Sequence, residues 1–243
     1  MSIDINCDLG EGVGNDALIM PLIGSCNIAC GGHTGDTESI VKTLVLAKEN
    51  NVKIGAHPSF PDRENFGRKT LTISLNELYE SIYNQINKII IESQKLNLKI
   101  YHIKPHGALY NEAAKNIELS EVIVKVLKKL GLNVKVYAPY NSVLAKVAQN
   151  ENIAVCYEAF LDRRYNKEGS LVSRTHKEAL ITSKEDIFKQ FYGIYKHQKL
   201  TCLTGEEINI KAQTFCIHGD NKKAVSILNF LHKKCKENNI NIN

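Results

Sequence analysis

The sequence predicts a single α/β domain of parallel strands alternating with helices, and three observations lead there. Short apolar runs and segments of helical period alternate seven times along the chain, the pattern of right-handed strand–helix–strand crossovers. The 243 residues are 43% hydrophobic and 23% charged, enough for a sizeable core and within the range of an α/β barrel. No repeat, low-complexity segment or Pro/Ser/Gly linker divides the chain. Such alternation closes as a barrel or stays open as a doubly wound sheet, and the barrel is favoured.

Taken in order, the first strand is expected over 3–9 and the second over 27–31, followed by a helix over 36–50 and a third strand over 52–56. The clearest helix begins with a Ser74-to-Glu77 capping box and carries the stripe Leu75, Leu78, Tyr79, Ile82, Ile86, Ile89 and Ile90. A fourth strand over 100–104 precedes the stripe Leu119, Val122, Ile123, Val126, Leu127 and Leu130, which stops at Gly131. A fifth strand over 134–138, a helix over 141–149, a sixth strand over 154–160 and a helix over 184–197 follow. The seventh strand is expected over 214–218, and Ala224, Ile227, Leu228 and Leu231 mark the last helix.

Side chains alternate faces along a strand. Asp4, Asn6 and Asp8 therefore share one face of the first strand, and His102, Lys104 and His106 share one face of the fourth. A parallel sheet covered by helices should be apolar on both faces, and unpaired buried charge is costly. These polar faces are accordingly expected to pair with one another, or with a ligand, in a shared interior.

Chemistry-bearing residues gather where the strands end: Asp8 and Glu11, His33 and Asp36, His57, Lys104 and His106, Glu158 and Asp162, His218 and Asp220. In α/β barrels the reaction centre is built at that end. The long connections 58–73 and 161–183 are candidate binding loops or lids, and the second carries Arg163, Arg164 and Arg174, suited to an anionic ligand. Plainer readings compete: any strand-end histidine can be a hydrogen-bonded structural group, Asp4 and Asn6 can form an internal polar network, and the arginines can be solvated. His176, His197 and His232 are read as structural, and Cys26 and Cys30 as small buried hydrophobes without a second pair for a zinc site.

Other classes are disfavoured. The net charge of +5 has no concentrated basic tract, which argues against nucleic acid. Nothing approaches the roughly 20 apolar residues of a membrane span. Seven scattered cysteines and no leader-like N-terminus lead to an expectation of a reducing, cytoplasmic location. The glycine-rich run 10–14 fits neither G-x-G-x-x-G nor a P-loop. A His/Asp cluster could bind a divalent cation, but no ligand spacing singles one out, so a bound metal stays an open question.

Several segments together resemble a known family. They are Asp4-Ile5-Asn6-Cys7-Asp8-Leu9-Gly10-Glu11-Gly12, Asn27-Ile28-Ala29-Cys30-Gly31-Gly32-His33-Thr34-Gly35-Asp36 and Gly55-Ala56-His57-Pro58-Ser59-Phe60-Pro61-Asp62. To these are added Phe66-Gly67-Arg68, Lys104-Pro105-His106-Gly107-Ala108-Leu109-Tyr110-Asn111, Asp162-Arg163-Arg164-Tyr165, Gly169-Ser170-Leu171-Val172-Ser173-Arg174 and His218-Gly219-Asp220. The set resembles the LamB/YcsF family, the A subunit of bacterial 5-oxoprolinase, over almost the whole chain and in the family's order. The resemblance implies an irregular seven-stranded, TIM-like (β/α) barrel as one domain. It also implies ATP-dependent opening of 5-oxoproline to L-glutamate with two partner subunits, ATP being used with Mg. The chain departs from the family pattern at Gly32, usually a bulky aromatic, at Thr34, usually alanine, and at His176-Lys177-Glu178, usually a glycine-like turn.

For that reaction Asp8, Glu11, His57 and His106 are the acid/base candidates, and Lys104, Arg163 and Arg174 the electrostatic ones. Asn6, His33, Asp36, Glu158, His218 and Asp220 are candidates for binding substrate or phosphate. Two other readings stay open: a self-sufficient metal-dependent amidohydrolase or deacetylase, and a non-catalytic substrate-binding subunit.

Overall fold

The computed structural model describes residues 3–243. Seven parallel strands close a barrel: β1 (Asp4–Leu9), β2 (Ser25–Ala29), β3 (Lys53–His57), β4 (Ile100–Ile103), β5 (Lys135–Pro139), β6 (Ala154–Phe160) and β9 (Thr214–Cys216), with β9 pairing both β6 and β1. The predicted α/β barrel is therefore observed, as a closed form rather than an open sheet. The remaining strands, β7 (Lys199–Thr201) and β8 (Glu207–Asn209), form an antiparallel hairpin outside it.

Helices cover the barrel with their apolar faces inward. α2 (Thr37–Glu49) is capped by Asp36, α3 (Leu75–Lys95) by the expected Ser74/Glu77 box, and α5 (Ile117–Lys129) by Asn116. α6 (Val143–Asn150), α7 (Lys184–His197) and α8 (Ala224–Glu237) complete the outer ring, the first two capped by Ser142 and Ser183. Each cap satisfies a backbone N–H that has no partner within its own helix. Three features are not foreseen by the sequence: the short α1 (Asp16–Ile19) with the 3-10 turn Met20–Leu22, the short α4 (Gly107–Ala113), and the β7–β8 hairpin. They have four, three, seven and three residues per element, too few for a periodic pattern to form. Among the described residues no helix is long and apolar enough to cross a membrane.

The barrel interior is polar and layered. At the strand-start end, Asp4 Oδ2 accepts from Ser25 at 2.6 Å and Thr214 at 2.7 Å. One layer up, Asn6 donates to Thr214 at 2.8 Å, Asn27 donates to Asn6 at 2.8 Å, and His102 Nε2 donates to Asn27 Oδ1 at 2.6 Å. The His102 ring stacks on Tyr137 at 3.8 Å and has room because its strand neighbour is Gly55, where a Cβ would overlap the imidazole. The opposite side chains of β1, Ile5, Cys7 and Leu9, and Ile3 just before it, pack outward into the helix-covered core. The alternation predicted for this strand is thus kept, and most of the buried polar atoms pair with one another, Asp4 Oδ1 and His102 Nδ1 being left without a hydrogen bond.

Candidate active site

At the strand-exit end the layers culminate in buried charge. Asp8, the last inward residue of β1, receives Asn27 at 2.8 Å and Lys104 at 2.9 Å on Oδ1. The Lys104 ammonium also lies 2.9 Å from Glu158 Oε1 and 3.2 Å from Cys216 Sγ. It is 1% exposed, so its charge depends wholly on these partners. Burial alone would discharge Lys104, but the Asp8, Cys216 and Glu158 side chains hold its pKa well above the ordinary lysine value. Burial likewise opposes ionisation of Asp8, and His57 and Lys104 overcome it, keeping the carboxyl well below its usual range.

Beside this ion cluster stand three histidines. His57 ends β3, His106 caps the start of α4, and His33 comes from the β2–α2 connection. His33 and His106 stack at 3.7 Å between ring centroids, and His57 meets both edge-on. Glu11 Oε1 lies 3.1 Å from His33 Nε2. Burial, reinforced by the neighbouring Asp8 carboxylate, pushes the Glu11 carboxyl up. Burial and neighbouring positive charge lower His106 well below the ordinary histidine value and His33 to about 2.

Asp8, His57, Lys104 and His106 form the floor of a cavity of about 310 Å³, with Arg68, Arg163, Arg174 and His218 on its walls. Arg163 is braced by donating to the Val172 carbonyl at 2.6 Å, and burial beside Arg174 lowers it to about 10. His218 Nδ1 donates to Asp162 at 2.8 Å. A second cavity of about 750 Å³ adjoins the first, sharing Tyr110, Asn111, Phe160, Leu171 and Ser173.

The residues expected at the site are mostly brought together. Asn6 lies one layer below, Glu158 beside Lys104, and Glu11 and His33 behind His106. Asp36 is not part of this group: it is exposed, and its carboxylate accepts the Ser39 N–H at 2.8 Å as a helix cap. Asp220 is also off the cavity wall and is ion-paired with Arg68.

Sequence reasoning does not assign Arg68, Tyr110 or Asp162 a role at the site. Arg68 lies within a loop recognisable by its length, and Asp162 among the strand-end carboxylates. Tyr110 stands in a segment that resembles the family, but α4 itself is not legible, so nothing in the sequence turns its side chain toward the cavity. Its hydroxyl is buried without a partner, a group that a ligand in the cavity could satisfy.

The LamB/YcsF family model matches residues 3–243. A Bacillus cereus (strain 03BB102) protein named as the A subunit of 5-oxoprolinase is 39% identical over 247 residues, covering 99% of this chain and 98% of that protein. Its namesake from Bacillus thuringiensis subsp. konkukian (strain 97-27) is also 39% identical, with the same coverage. Among solved structures, a lactam utilization protein from Thermus thermophilus superposes with a TM-score of 0.91 at 30% identity, covering 100% of this chain and 99% of that one.

Proposed function

Because the chain belongs to the LamB/YcsF family, we propose that it is one subunit of an ATP-dependent 5-oxoprolinase that opens the lactam of 5-oxo-L-proline to L-glutamate. The observation that carries this reading is the buried Asp8–Lys104–Glu158 cluster under an arginine-walled cavity. Charge held this far from water is costly unless its field is used, and a preorganised field is what acyl transfer needs.

A five-membered lactam is a stable amide with a poorly electrophilic carbon. ATP, with Mg, would supply the phosphoryl group that makes its carbonyl oxygen a leaving group. The chain's own part is then positioning and proton transfer. Arg68, Arg163 and Arg174 line the wall where an anionic substrate or its phosphorylated form would lie, and guanidinium groups suit both carboxylate and phosphate. Lys104, charged and immobile, faces the developing oxyanion. Asp8 Oδ2 and the imidazoles of His57 and His106 border the same space and can take the proton of an attacking water and return one to the departing nitrogen. His218, oriented by Asp162, is placed to contact substrate.

The chain has neither a P-loop nor a dinucleotide fingerprint, so two partner subunits are assigned the missing phosphoryl-transfer apparatus. The test is reconstitution. The purified chain should release no glutamate from 5-oxoproline and ATP, and addition of the partner subunits should restore ATP-dependent release. Asp8→Asn should lower that rate about 100-fold or more. Robust release by the chain alone, or none by the complete mixture, would overturn the reading.

A further inference from the structure

Glu11, His33, His57 and His106 each place a donor atom in a group whose members all lie within 4.8 Å of one another. Two of the imidazoles have fixed tautomers. His57 Nδ1 lies 2.7 Å from the carbonyl oxygen of Lys104, and His106 Nε2 lies 3.0 Å from that of Phe66. A carbonyl only accepts, so each of those nitrogens bears the hydrogen and the other nitrogen of each neutral ring is a bare lone pair. Those two, His57 Nε2 and His106 Nδ1, face each other at 2.9 Å. Two lone pairs at hydrogen-bond distance repel, and an electrophile reached by both removes the conflict.

A proton between the rings would suffice for the pair alone, but the surroundings ask for more. Glu11 Oε1 stands 3.6 Å from His106 Nδ1, and Asp8 Oδ2 stands 3.4 Å from His57 Nε2. Ligand atoms around a tetrahedral zinc ion, with bonds of about 2.0–2.1 Å, lie about 3.3 Å apart. The separations of 2.9, 3.4 and 3.6 Å bracket that spacing. Charge points the same way: among the described residues Lys104 is the one buried ammonium and its carboxylate partners are Asp8 and Glu158, whereas the buried Glu11 carboxylate faces only the imidazoles of His33 and His106. The outer contacts are also those of metal-binding histidines, each ring held by a backbone carbonyl through its distal nitrogen.

We propose that His57 Nε2, His106 Nδ1 and Glu11 bind one divalent transition-metal ion of the zinc class. Asp8 is the further oxygen donor, and the open side faces the cavity. His33 braces Glu11 through Nε2 and His106 through ring stacking. Imidazole with carboxylate favours zinc, manganese, iron or cobalt over magnesium, which takes oxygen ligands. A bound ion there would act as a Lewis acid toward a carbonyl in the cavity. The site rests on this geometry alone and does not depend on the lactam reading; an ion held by His57 Nε2 and His106 Nδ1 would take the place of proton transfer by those two rings, and metal binding is therefore tested without turnover.

The experiment uses the full chain stripped with a chelator, then titrated with Zn²⁺ by calorimetry and with Co²⁺ by visible absorption. One equivalent of each should bind, Zn²⁺ should raise the melting temperature, and Co²⁺ should show the ligand-field bands of a nitrogen/oxygen site. His106→Gln and Glu11→Gln should each weaken binding at least about tenfold, with His33→Ala showing a smaller loss. Circular dichroism identifies variants that remain folded. Should the buried substitutions unfold the chain, the wild-type stoichiometry and Co²⁺ spectrum still decide. Folded wild-type protein that takes up neither ion assigns the place between the rings to a proton and overturns the proposal. So does undiminished binding in a folded Glu11→Gln or His106→Gln variant.

Discussion

Lys104 is the side chain on which structure and chemistry depend most. Removing it leaves Asp8 and Glu158 buried without their common cation, and breaking a buried pair in this way costs about 3–5 kcal/mol. Lys104→Ala should therefore lose stability of that order in urea denaturation, as well as turnover. Arg174→Ala, at an exposed wall position, should stay within about 0.5 kcal/mol of the wild type while its turnover falls. Asp162 gives a pH prediction. Burial raises its pKa, but His218, with a smaller contribution from Arg174, brings it below the ordinary value in the folded chain. A depressed carboxyl contributes stability that is present above its unfolded pKa of about 3.9 and is lost as pH falls through the folded value. Stability measured in urea from pH 7 to 3 should fall less steeply for Asp162→Asn than for the wild type. At this scale the sequence is informative about which residues meet, because strand parity puts Asp8 and Lys104 on inward faces. It misplaces Asp36, since a carboxylate just before a helix serves equally well as a cap or a ligand, and its Ser39 partner carries no mark of the choice.

Asp36→Ala should accordingly lower the melting temperature through the lost cap of α2, with turnover unchanged in the reconstituted system. The connection after β3 and the middle of α3 are also linked. Gln85 accepts from the Ser59 N–H and donates to the Ser59 carbonyl, both at 2.9 Å. A Cβ at Gly32 would overlap the Gln85 and Ser59 side chains. The absence of a side chain at Gly32 thus leaves room for this polar clamp. Gly32→Ala and Gln85→Ala should each destabilise, and a double-mutant cycle should show them coupled by about 0.5–3 kcal/mol. Long amphipathic helices such as α3, α5 and α7 are legible because many turns repeat one signal. The helix α4 is not, since its seven residues begin at a positive-φ glycine after a Pro-His pair. That makes Tyr110 invisible as a cavity residue.

For the whole molecule, seven alternations of strand and helix are enough to anticipate the barrel, because each parallel crossover demands a helix-length return. What they do not contain is the route from β6 to β9. That route includes a 14-residue helix and a hairpin of three-residue strands, and only the closed ladder shows that the hairpin is excluded from the sheet. Closure has a further consequence at the opposite pole from the cavity. Ile3 forms a parallel bridge with Ile242, its N–H donating to Asn241 and its carbonyl accepting from Asn243, both at 2.9 Å. The two ends of the described chain therefore lie side by side beneath the strand starts. Backbone order around the ring is consequently arbitrary with respect to the mouth. A circular permutant joined there by a short Gly/Ser tether and reopened at Gly205, between β7 and β8 and clear of neighbours, should melt within a few degrees of the parent, and anchoring either end to a surface should leave the mouth facing solution.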